Sequence, residues 1–229
     1  MLIQVKVPEK IFLKNPEETD LGRRIIEHSI ILIDEIGFES FNFKKLSEKI
    51  GSTEASVYRY FENKHTLLVY LISWYWNWFE FKLKFNIHNI DSPIRRLKLA
   101  IETISKPLEA DDNFIHVDEI VLHRIVVRES SKAYLTILVD EDNKEGFFLS
   151  YKRICGEIAS IVKEVNPNYK FPNSLVSALI ELCHKQHYFA EHLPSLTDIN
   201  LSHNGELSAF LLDIAEKTLD LKKNSLSNC

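Results

Sequence analysis

Glycine, proline, cysteine and methionine are all scarce in this 229-residue chain, which contains 6 Gly, 7 Pro, 3 Cys and 1 Met. The low glycine and proline content argues against a fold with many tight turns, because these two residue types form most turns. The long stretches between them carry helix-forming residues in amphipathic order. The sequence therefore predicts a mostly helical protein.

Signals for export, disulfide bonding and membrane insertion are also missing. Cys155, Cys183 and Cys229 are an odd number without close spacing, which favours free thiols in a reducing compartment. The N-terminus lacks a cationic start followed by an apolar stretch and a small-residue cleavage site. The longest uncharged run, Thr66 to Phe79, is too short to span a bilayer. We expect a cytoplasmic protein with no membrane partner.

The chain has no excess of positive charge, since 28 Lys and Arg face 33 Asp and Glu for a net charge of -5. It therefore has no overall basic field to attract nucleic acid, and any such contact must be local. Catalytic patterns are absent as well: no nucleophile is paired with a base, and no glycine-rich phosphate loop is present. We expect neither an enzyme nor a bound cofactor.

Apolar residues recur at helical spacing along most of the chain. Gly37 ends the first helix, and Gly51 allows a sharp turn between two short helices. Residues 131–146 are ambiguous because Leu135 to Val139 has strand propensity, but an isolated strand would have no sheet to join, so we predict helix. The other predicted helices are Asp20–Gly37, Phe43–Ile50, Thr53–Tyr60, Lys64–Phe85, Ile94–Ala110, Phe114–Arg128, Gly146–Val165, Pro172–His192 and Gly205–Lys222.

The two short helices around Gly51 form a helix, a tight turn and a second helix, and one helix fits the major groove of DNA. Small residues from Thr53 onwards allow the second short helix to approach the DNA closely. Tyrosine hydroxyls and a lysine can contact phosphate oxygens, and the Glu54 carboxylate can accept a hydrogen bond from cytosine. Lys44 and Arg59 suit guanine. The candidate DNA-binding residues are Lys44, Lys45, Thr53, Glu54, Ala55, Ser56, Tyr58, Arg59, Tyr60 and Lys64.

The stretch "FNFKKLSEKIGSTEASVYRYFENKHTLL" resembles the DNA-binding segment of the TetR (tetracycline repressor) family of bacterial transcription regulators. The resemblance extends from Ile25 to about Leu71 and includes the small-residue cap, the Tyr-x-Tyr-Phe stretch and the lysine that follows. Ser47 stands where such segments usually carry alanine, but serine is small enough to keep the helix crossing. Five cations against four acids between Phe38 and Lys64 predict weak non-specific affinity.

The resemblance implies an all-α protein with an N-terminal three-helix helix-turn-helix unit and a larger helical domain for effector binding and dimerisation. We place these domains at residues 1–65 and 66–229. The implied function is that of a ligand-responsive repressor that binds a palindromic double-stranded DNA operator as a homodimer. The fourth helix is the expected lever, because it continues from the DNA-binding unit into the larger domain.

Aromatic residues on the fourth helix suit either plain core packing or the lining of a ligand pocket. The resemblance implies a pocket for a small apolar effector in this region. Without such a pocket, the alternative is that the C-terminal domain serves as a protein-interaction module. The candidate ligand-binding residues are Trp74, Tyr75, Trp78, Phe81, His116 and His123.

The last two helices are the candidates for self-association, because they carry more apolar surface than one chain covers. Cys183, His184 and His187 lie on the first of them with Glu191 and His192, which leaves a metal sensor as a second alternative. Their spacing matches no closed zinc pattern, so we expect no metal. The candidate dimer residues are Leu175, Leu179, Leu182, Phe189, Leu207, Leu211 and Ile214.

Overall fold

A computed structural model describes residues 5, 7–106, 116–203, 205–221 and 225–226. These residues form helices and no strands, which confirms the predicted all-α class. Single 3-10 turns occur at Glu9–Ile11, Pro16–Glu18 and Pro194–Leu196. The α-helices are α1 (Asp20–Ser40), α2 (Phe43–Lys49), α3 (Glu54–Tyr58), α4 (Lys64–Ile87), α5 (Pro93–Ser105), α6 (Glu119–Glu129), α7 (Ser131–Tyr134), α8 (Val139–Lys144), α9 (Leu149–Val165), α10 (Pro172–His192) and α11 (Glu206–Thr218).

Local capping sets the boundaries of the first three helices. The side chains of Thr19, Asn42 and Thr53 accept hydrogen bonds from the backbone amides of Gly22, Lys45 and Ser56, and so occupy free donors at each helix start. Gly37, at φ +73°, breaks the helical path near the end of α1. Gly51, at φ +61°, makes the turn that precedes α3. These ends agree with the sequence predictions to within a few residues.

Several predicted boundaries in the rest of the chain are wrong. Residues 131–146 form two short helices, α7 and α8, instead of one continuous helix. Gly146 and Gly205 have φ values of +84° and +94°, so both lie before their helices and not inside them. Asp118 starts α6 by accepting from the amide of Val121 at 2.9 Å. The predicted ends at Ala110 and Phe114 lie outside the described residues.

The chain divides into two compact units whose segments alternate along the sequence. Unit 1 comprises Met1–Trp78 and Leu108–Ser150, and unit 2 comprises Phe79–Pro107 and Tyr151–Cys229. Unit 1 therefore contains α1 to α3 together with α6 to α8. This is a division by packing. The proposed functional boundary at residues 65 and 66 stays a prediction.

In unit 1, the three N-terminal helices share one small core. Ile25, Leu46, Val57 and Phe61 are fully buried there, each on a different helix or on the turn after α3. Helix α1 also packs along α6. A helix as short as α3 is marginal in isolation, so this packing is what holds it in place.

In unit 2, α5 packs against both α10 and α11. Polar contacts fix this arrangement: Ser105 and Ser208 hydroxyls lie 2.7 Å apart, and the Cys183 thiol donates to the Ile104 carbonyl at 3.4 Å. The guanidinium of Arg153 joins α9 to Glu80 on α4, with Nη2 2.6 Å from Oε2. Burial raises the pKa of Glu80, but bonds from Arg153 and Lys84 outweigh it and leave this pKa below its usual value.

Candidate nucleic-acid interface

Helix α3 is anchored on one side and open on the other. Val57 is buried in the core, whereas Glu54, Ala55 and Arg59 are exposed. Thr53 and Ser56 are hydrogen-bonded to each other. The Thr53 hydroxyl accepts from the Ser56 amide at 3.2 Å and lies 2.8 Å from the Ser56 hydroxyl. The two hydroxyls that the sequence offered for DNA contact are therefore already hydrogen-bonded within α3.

The cations around α3 fall into two groups. Lys45 donates to the Ser40 carbonyl at 2.8 Å, and Lys49 pairs with Glu35 at 2.7 Å. Lys44 and Arg59, by contrast, are exposed, and their side chains make no hydrogen bond or ion pair with any residue that the structure describes. These two side chains are the ones placed to meet an anionic ligand.

Lys64 has a structural role that the sequence did not indicate. Its ammonium group donates to the carbonyls of Phe38, Glu39 and Phe41 at 3.1, 3.1 and 3.2 Å. It also lies 4.8 Å from the centre of the Phe38 ring. The expected phosphate contact does not suit this placement, because the charge already serves the free carbonyls where α1 ends.

The two tyrosines of α3 and the following turn have different environments. Tyr58 is 47% exposed and packs edge-on against Phe43, with ring centres 5.0 Å apart. Tyr60 is 3% exposed, and its hydroxyl lies 2.7 Å from the Thr19 hydroxyl. We therefore correct the expectation that the Tyr60 hydroxyl meets phosphate: this side chain belongs to the core.

The segment before α1 contacts the turn after α3 and helix α4, a feature that sequence analysis missed. The Leu13 amide donates to the Tyr60 carbonyl at 2.8 Å, and the Phe12 ring packs edge-on against Tyr70. Glu17 accepts from the Tyr70 hydroxyl at 3.1 Å. Burial, together with the charge of Glu17, raises the pKa of Tyr70 well above its usual value. Asn15, which caps the Pro16–Glu18 turn, and Pro16 at its first position are local signals of this ordered segment.

Ion pairs join α1 to α6, a second feature that sequence analysis missed. Asp34 accepts from Arg124, with Oδ2 2.6 Å from Nη2, and also pairs with Arg128. Burial alone would raise the pKa of Asp34, but the two arginines outweigh it and hold this pKa below its usual value. The pairs span about ninety positions of sequence, so no local pattern indicates them.

A second set of contacts lies beside the end of α1. Lys132 of α7 pairs with both Glu39 and Glu129 at 2.8 Å, and Glu129 accepts from the Phe38 amide at 3.2 Å. The hydrogen bond and charge of Lys132 lower the pKa of Glu39. Burial lowers the pKa of Lys132, but its two carboxylate partners outweigh this and raise it overall. The end of α1 is thus held by charges from α6 and α7.

The predicted ligand-binding residues divide between the two units. Trp74, Tyr75 and Trp78 are buried in unit 1, and the Tyr75 hydroxyl lies 2.9 Å from Nδ1 of His123. His116 instead has its Nε2 2.7 Å from Oε2 of Glu17. Phe81 belongs to unit 2 and is 50% exposed. Tyr75, Trp78 and His123 therefore remain the central candidates.

Unit 2 has a surface cleft with a volume of about 460 Å³. Most of its lining residues carry charged or polar side chains, whereas we expected a pocket lined by aromatic residues. Ile87 and Ile161 are buried apolar residues in its lining. Arg96 and Glu164, also in the lining, form an ion pair at 2.5 Å. The remaining lining residues are Lys84, His88, Asn89, Ile90, Asp91, Glu157 and Ser160.

The predicted dimer residues divide by burial within unit 2. Leu175, Leu179, Leu207 and Leu211 are buried in the single chain, where α5 packs against both α10 and α11. These four residues are therefore core residues, and we correct their assignment to an interface. Leu182, Phe189 and Ile214 are half-buried and keep that assignment as a proposal.

The cysteine and histidine residues of α10 do not assemble a metal site. Within the described part of the chain, no three His, Cys, Asp or Glu side chains are placed to hold a metal ion. Burial raises the pKa of the Cys183 thiol to about 12 and, with nearby positive charge, lowers the pKa of His184 to about 4. Cys155 and Cys183 are free thiols, as predicted, and Cys229 lies outside the described residues.

Comparison with known proteins identifies the segment that contains α2 and α3. Residues 25–71 match the family model described as "Bacterial regulatory proteins, tetR family". The match covers α2, α3 and the flanking parts of α1 and α4. No curated protein matches the sequence. Within the described residues, no helix is both long and apolar enough to cross a lipid bilayer.

Solved structures with the same fold include several regulators. AibR in complex with isovaleryl coenzyme A and operator DNA is 12% identical, with a TM-score of 0.56 over 87% of this chain and 100% of its own. The fatty acid degradation regulator FadR from Bacillus halodurans is 18% identical, with a TM-score of 0.54 over 86% and 96%. PfmR, a TetR family regulator from Thermus thermophilus, is 11% identical, with a TM-score of 0.56 over 87% and 99%.

Proposed function

We propose that the chain is a ligand-responsive repressor of the TetR type, because residues 25–71 match the family model of these bacterial regulators and the fold is similar to that of solved TetR family regulators. It binds a palindromic operator as a homodimer through the exposed side of α3. The observation that carries this proposal is the family match over residues 25–71, in which α3 is buried on its Val57 side and open at Glu54, Tyr58 and Arg59.

The residues on the exposed side of α3 and near it have different proposed roles in DNA binding. Lys44 and Arg59 have free positive charges that suit phosphate oxygens or guanine, and the exposed Tyr58 side chain suits a phosphate. Ala55 is small and allows α3 to approach the base edges. Lys45 and Lys64 support the fold of the DNA-binding unit through carbonyl contacts, and so place α3 without touching DNA.

A selection from a randomised duplex DNA library tests the DNA part of the proposal. We expect the purified protein to enrich a sequence with two inverted half-sites about one helical turn apart, because a symmetric dimer presents two copies of α3. The variant Arg59→Ala should lose most of this enrichment. If the wild-type protein enriches no sequence at low salt, the proposal is wrong.

We place the dimer interface on the half-buried apolar side chains of α10 and α11. Phe189→Glu should convert dimer to monomer in sedimentation, because it puts a charge among apolar contacts. Leu135→Glu, a matched change at an exposed leucine before α8, should leave the dimer intact. A Phe189→Glu protein that stays dimeric would contradict this assignment.

The effector is proposed to be a small apolar molecule bound near Tyr75, Trp78 and His123. The buried rings of Tyr75 and Trp78 and the half-buried ring of His123, with one hydroxyl-to-imidazole contact, give the mixture of apolar surface and few polar groups that ligand pockets use. The contacts from Asp34 to Arg124 and Arg128 would carry a displacement of α6 to the DNA-binding helices.

Isovaleryl coenzyme A, which carries a small apolar acyl group on a polar carrier, is the first probe for the effector, because AibR is seen with it. Binding in the aromatic region should quench tryptophan fluorescence and release the selected DNA. His123→Ala should weaken this response without changing DNA affinity in the absence of the probe. If neither isovaleryl coenzyme A nor a panel of apolar carboxylic acids changes fluorescence or DNA affinity, the ligand-responsive part of the proposal fails.

A further inference from the structure

The side of α3 that faces away from the core has one feature that a surface built to bind DNA backbone would lack. Glu54, the first residue of α3, is exposed, and its carboxylate makes no hydrogen bond or ion pair with any described residue. The nearby free cations, Lys44 and Arg59, do not pair with it either. An unpaired negative charge therefore lies beside the residues that would meet an anionic duplex.

The other polar side chains on α3 and at its N-cap are neutral, and two of them are already hydrogen-bonded to each other. The hydroxyls of Thr53 and Ser56 are bonded to each other at 2.8 Å, and Thr53 also accepts from the Ser56 amide. Ala55 has no polar side-chain atom, and Tyr58 packs against Phe43. Among the exposed side chains of α3 itself, Glu54 is thus the charged group that remains free to hydrogen-bond a base.

A carboxylate accepts hydrogen bonds and donates none, so its preferences among DNA groups are clear. Phosphate oxygens repel it, and so do the acceptor atoms N7 and O6 of guanine. The amino group of cytosine donates to it, whereas the N6 amino group of adenine lies beside the acceptor N7, which repels the carboxylate. The N-terminal residues of a recognition helix lie nearest to base edges, which is where Glu54 stands in α3.

We propose that Glu54 is a specificity-determining residue that accepts a hydrogen bond from the N4 amino group of a cytosine in each operator half-site. This inference rests on the proposed function. The same carboxylate lowers affinity for sequences without this cytosine, because it then lies beside base acceptor atoms or phosphate oxygens, which repel it. With Lys44 and Arg59 as its free cations, the DNA-binding unit is suited to discrimination more than to strong general attraction.

The test compares selections from one randomised duplex library by the wild-type protein and two variants at the same position. Wild type should enrich a half-site with an invariant cytosine. In Glu54→Ala, discrimination at that base pair should fall by about tenfold, the effect of losing one good base contact, while the other positions stay unchanged. In Glu54→Gln, preference should move from cytosine towards adenine, because an amide pairs with adenine N6 and N7.

Glu62→Gln is the matched control, since Glu62 is also exposed and lies on the turn after α3. It removes the same charge and should leave the enriched sequence unchanged. Binding to a duplex without the enriched sequence should rise several-fold in Glu54→Gln and less in Glu62→Gln. Thermal melting of each variant should match wild type, because both side chains are exposed and unpaired.

Failure of this inference can be distinguished from failure of the proposed function. If wild type enriches no sequence, the proposed function is wrong. If wild type enriches inverted half-sites and Glu54→Ala enriches the same sequence with equal discrimination at every position, Glu54 does not read a base and the inference is wrong. Adenine in place of cytosine at the affected position of the wild-type sequence would also overturn the cytosine assignment.

Discussion

At the scale of single residues, Gly22 shows how closely the segment before α1 approaches the DNA-binding unit. A Cβ atom at this position would lie 2.2 Å from the carbonyl oxygen of Pro16 and 2.5 Å from its Cα. Both atoms belong to the backbone, so neither can rotate away. The glycine is therefore required by the close approach of two chain segments and not by its backbone angles.

We predict that Gly22→Ala destabilises the protein by about 1 to 3 kcal/mol, because the added methyl forces a backbone shift. Gly156→Ala is the control, since a Cβ there meets nothing within 4 Å and α9 should gain up to about 1 kcal/mol from better helix propensity. Urea denaturation measures both changes. Equal stability of Gly22→Ala and wild type would contradict the close approach.

Lys64 and Lys44 are both lysines of the DNA-binding unit, but their surroundings differ. Lys64→Met should lower the free energy of unfolding by about 1 to 3 kcal/mol, because three carbonyls lose a charged donor. Lys44→Met should leave stability within about 0.5 kcal/mol of wild type and weaken DNA binding. Denaturation and DNA titration of both variants measure this contrast. Lys64→Met with full stability and weakened DNA binding would restore the original phosphate assignment.

At the scale of helices, the contact between α1 and α6 depends on the ionisation of one carboxylate. The pKa of Asp34 is lowered in the folded protein from its ordinary value of 3.8. A group with a lowered folded pKa contributes its stability above the unfolded pKa and loses it as pH falls through the folded pKa. The pairing of α1 with α6 should therefore be at full strength at neutral pH and weaken below about pH 4.

We predict that Asp34→Asn lowers the free energy of unfolding by about 1 to 2 kcal/mol at pH 7. The difference from wild type should shrink as pH falls below 3.8, because wild type then loses the same charge. Asp20→Asn, which breaks an exposed pair with Arg23 on the same helix, should cost less than about 0.5 kcal/mol. Denaturant melts across pH measure the difference, and a constant difference down to about pH 2 would contradict the assignment.

At the scale of the whole molecule, the net charge of -5 requires that DNA affinity come from a small number of local contacts. Of the five cations between Phe38 and Lys64, three are bonded to carbonyls or a carboxylate of the same chain. A dimer would therefore bring about four free cations of this segment to phosphates, two from each copy. The protein should bind non-specific DNA weakly.

We predict a slope of about -4 when the logarithm of the DNA association constant is plotted against the logarithm of salt concentration. If all five cations of each copy contacted phosphate, the slope would be about -9. Fluorescence anisotropy with the selected duplex measures it, and Lys45→Met should leave the slope unchanged. A slope close to the steeper value would mean that Lys45, Lys49 and Lys64 leave their partners when DNA binds.

The sequence by itself determined the helical class, the helix-turn-helix boundaries and the outward position of Glu54 and Arg59. These features depend on local interactions: Thr19, Asn42 and Thr53 each cap an amide three residues away, and Gly37 and Gly51 adopt positive φ. Apolar spacing alone places Val57 and Phe61 inside.

The tertiary structure alone decided which of the candidate residues remain available. Tyr60 is hydrogen-bonded to Thr19, and Lys64 is hydrogen-bonded to carbonyls at the end of α1. Asp34 forms ion pairs with Arg124 and Arg128. Each of these contacts joins groups that are far apart in sequence. A hydrogen bond or ion pair needs two groups within about 3 Å. Only the folded path of the chain brings such distant groups together, so no local pattern could show which side chains were already bonded.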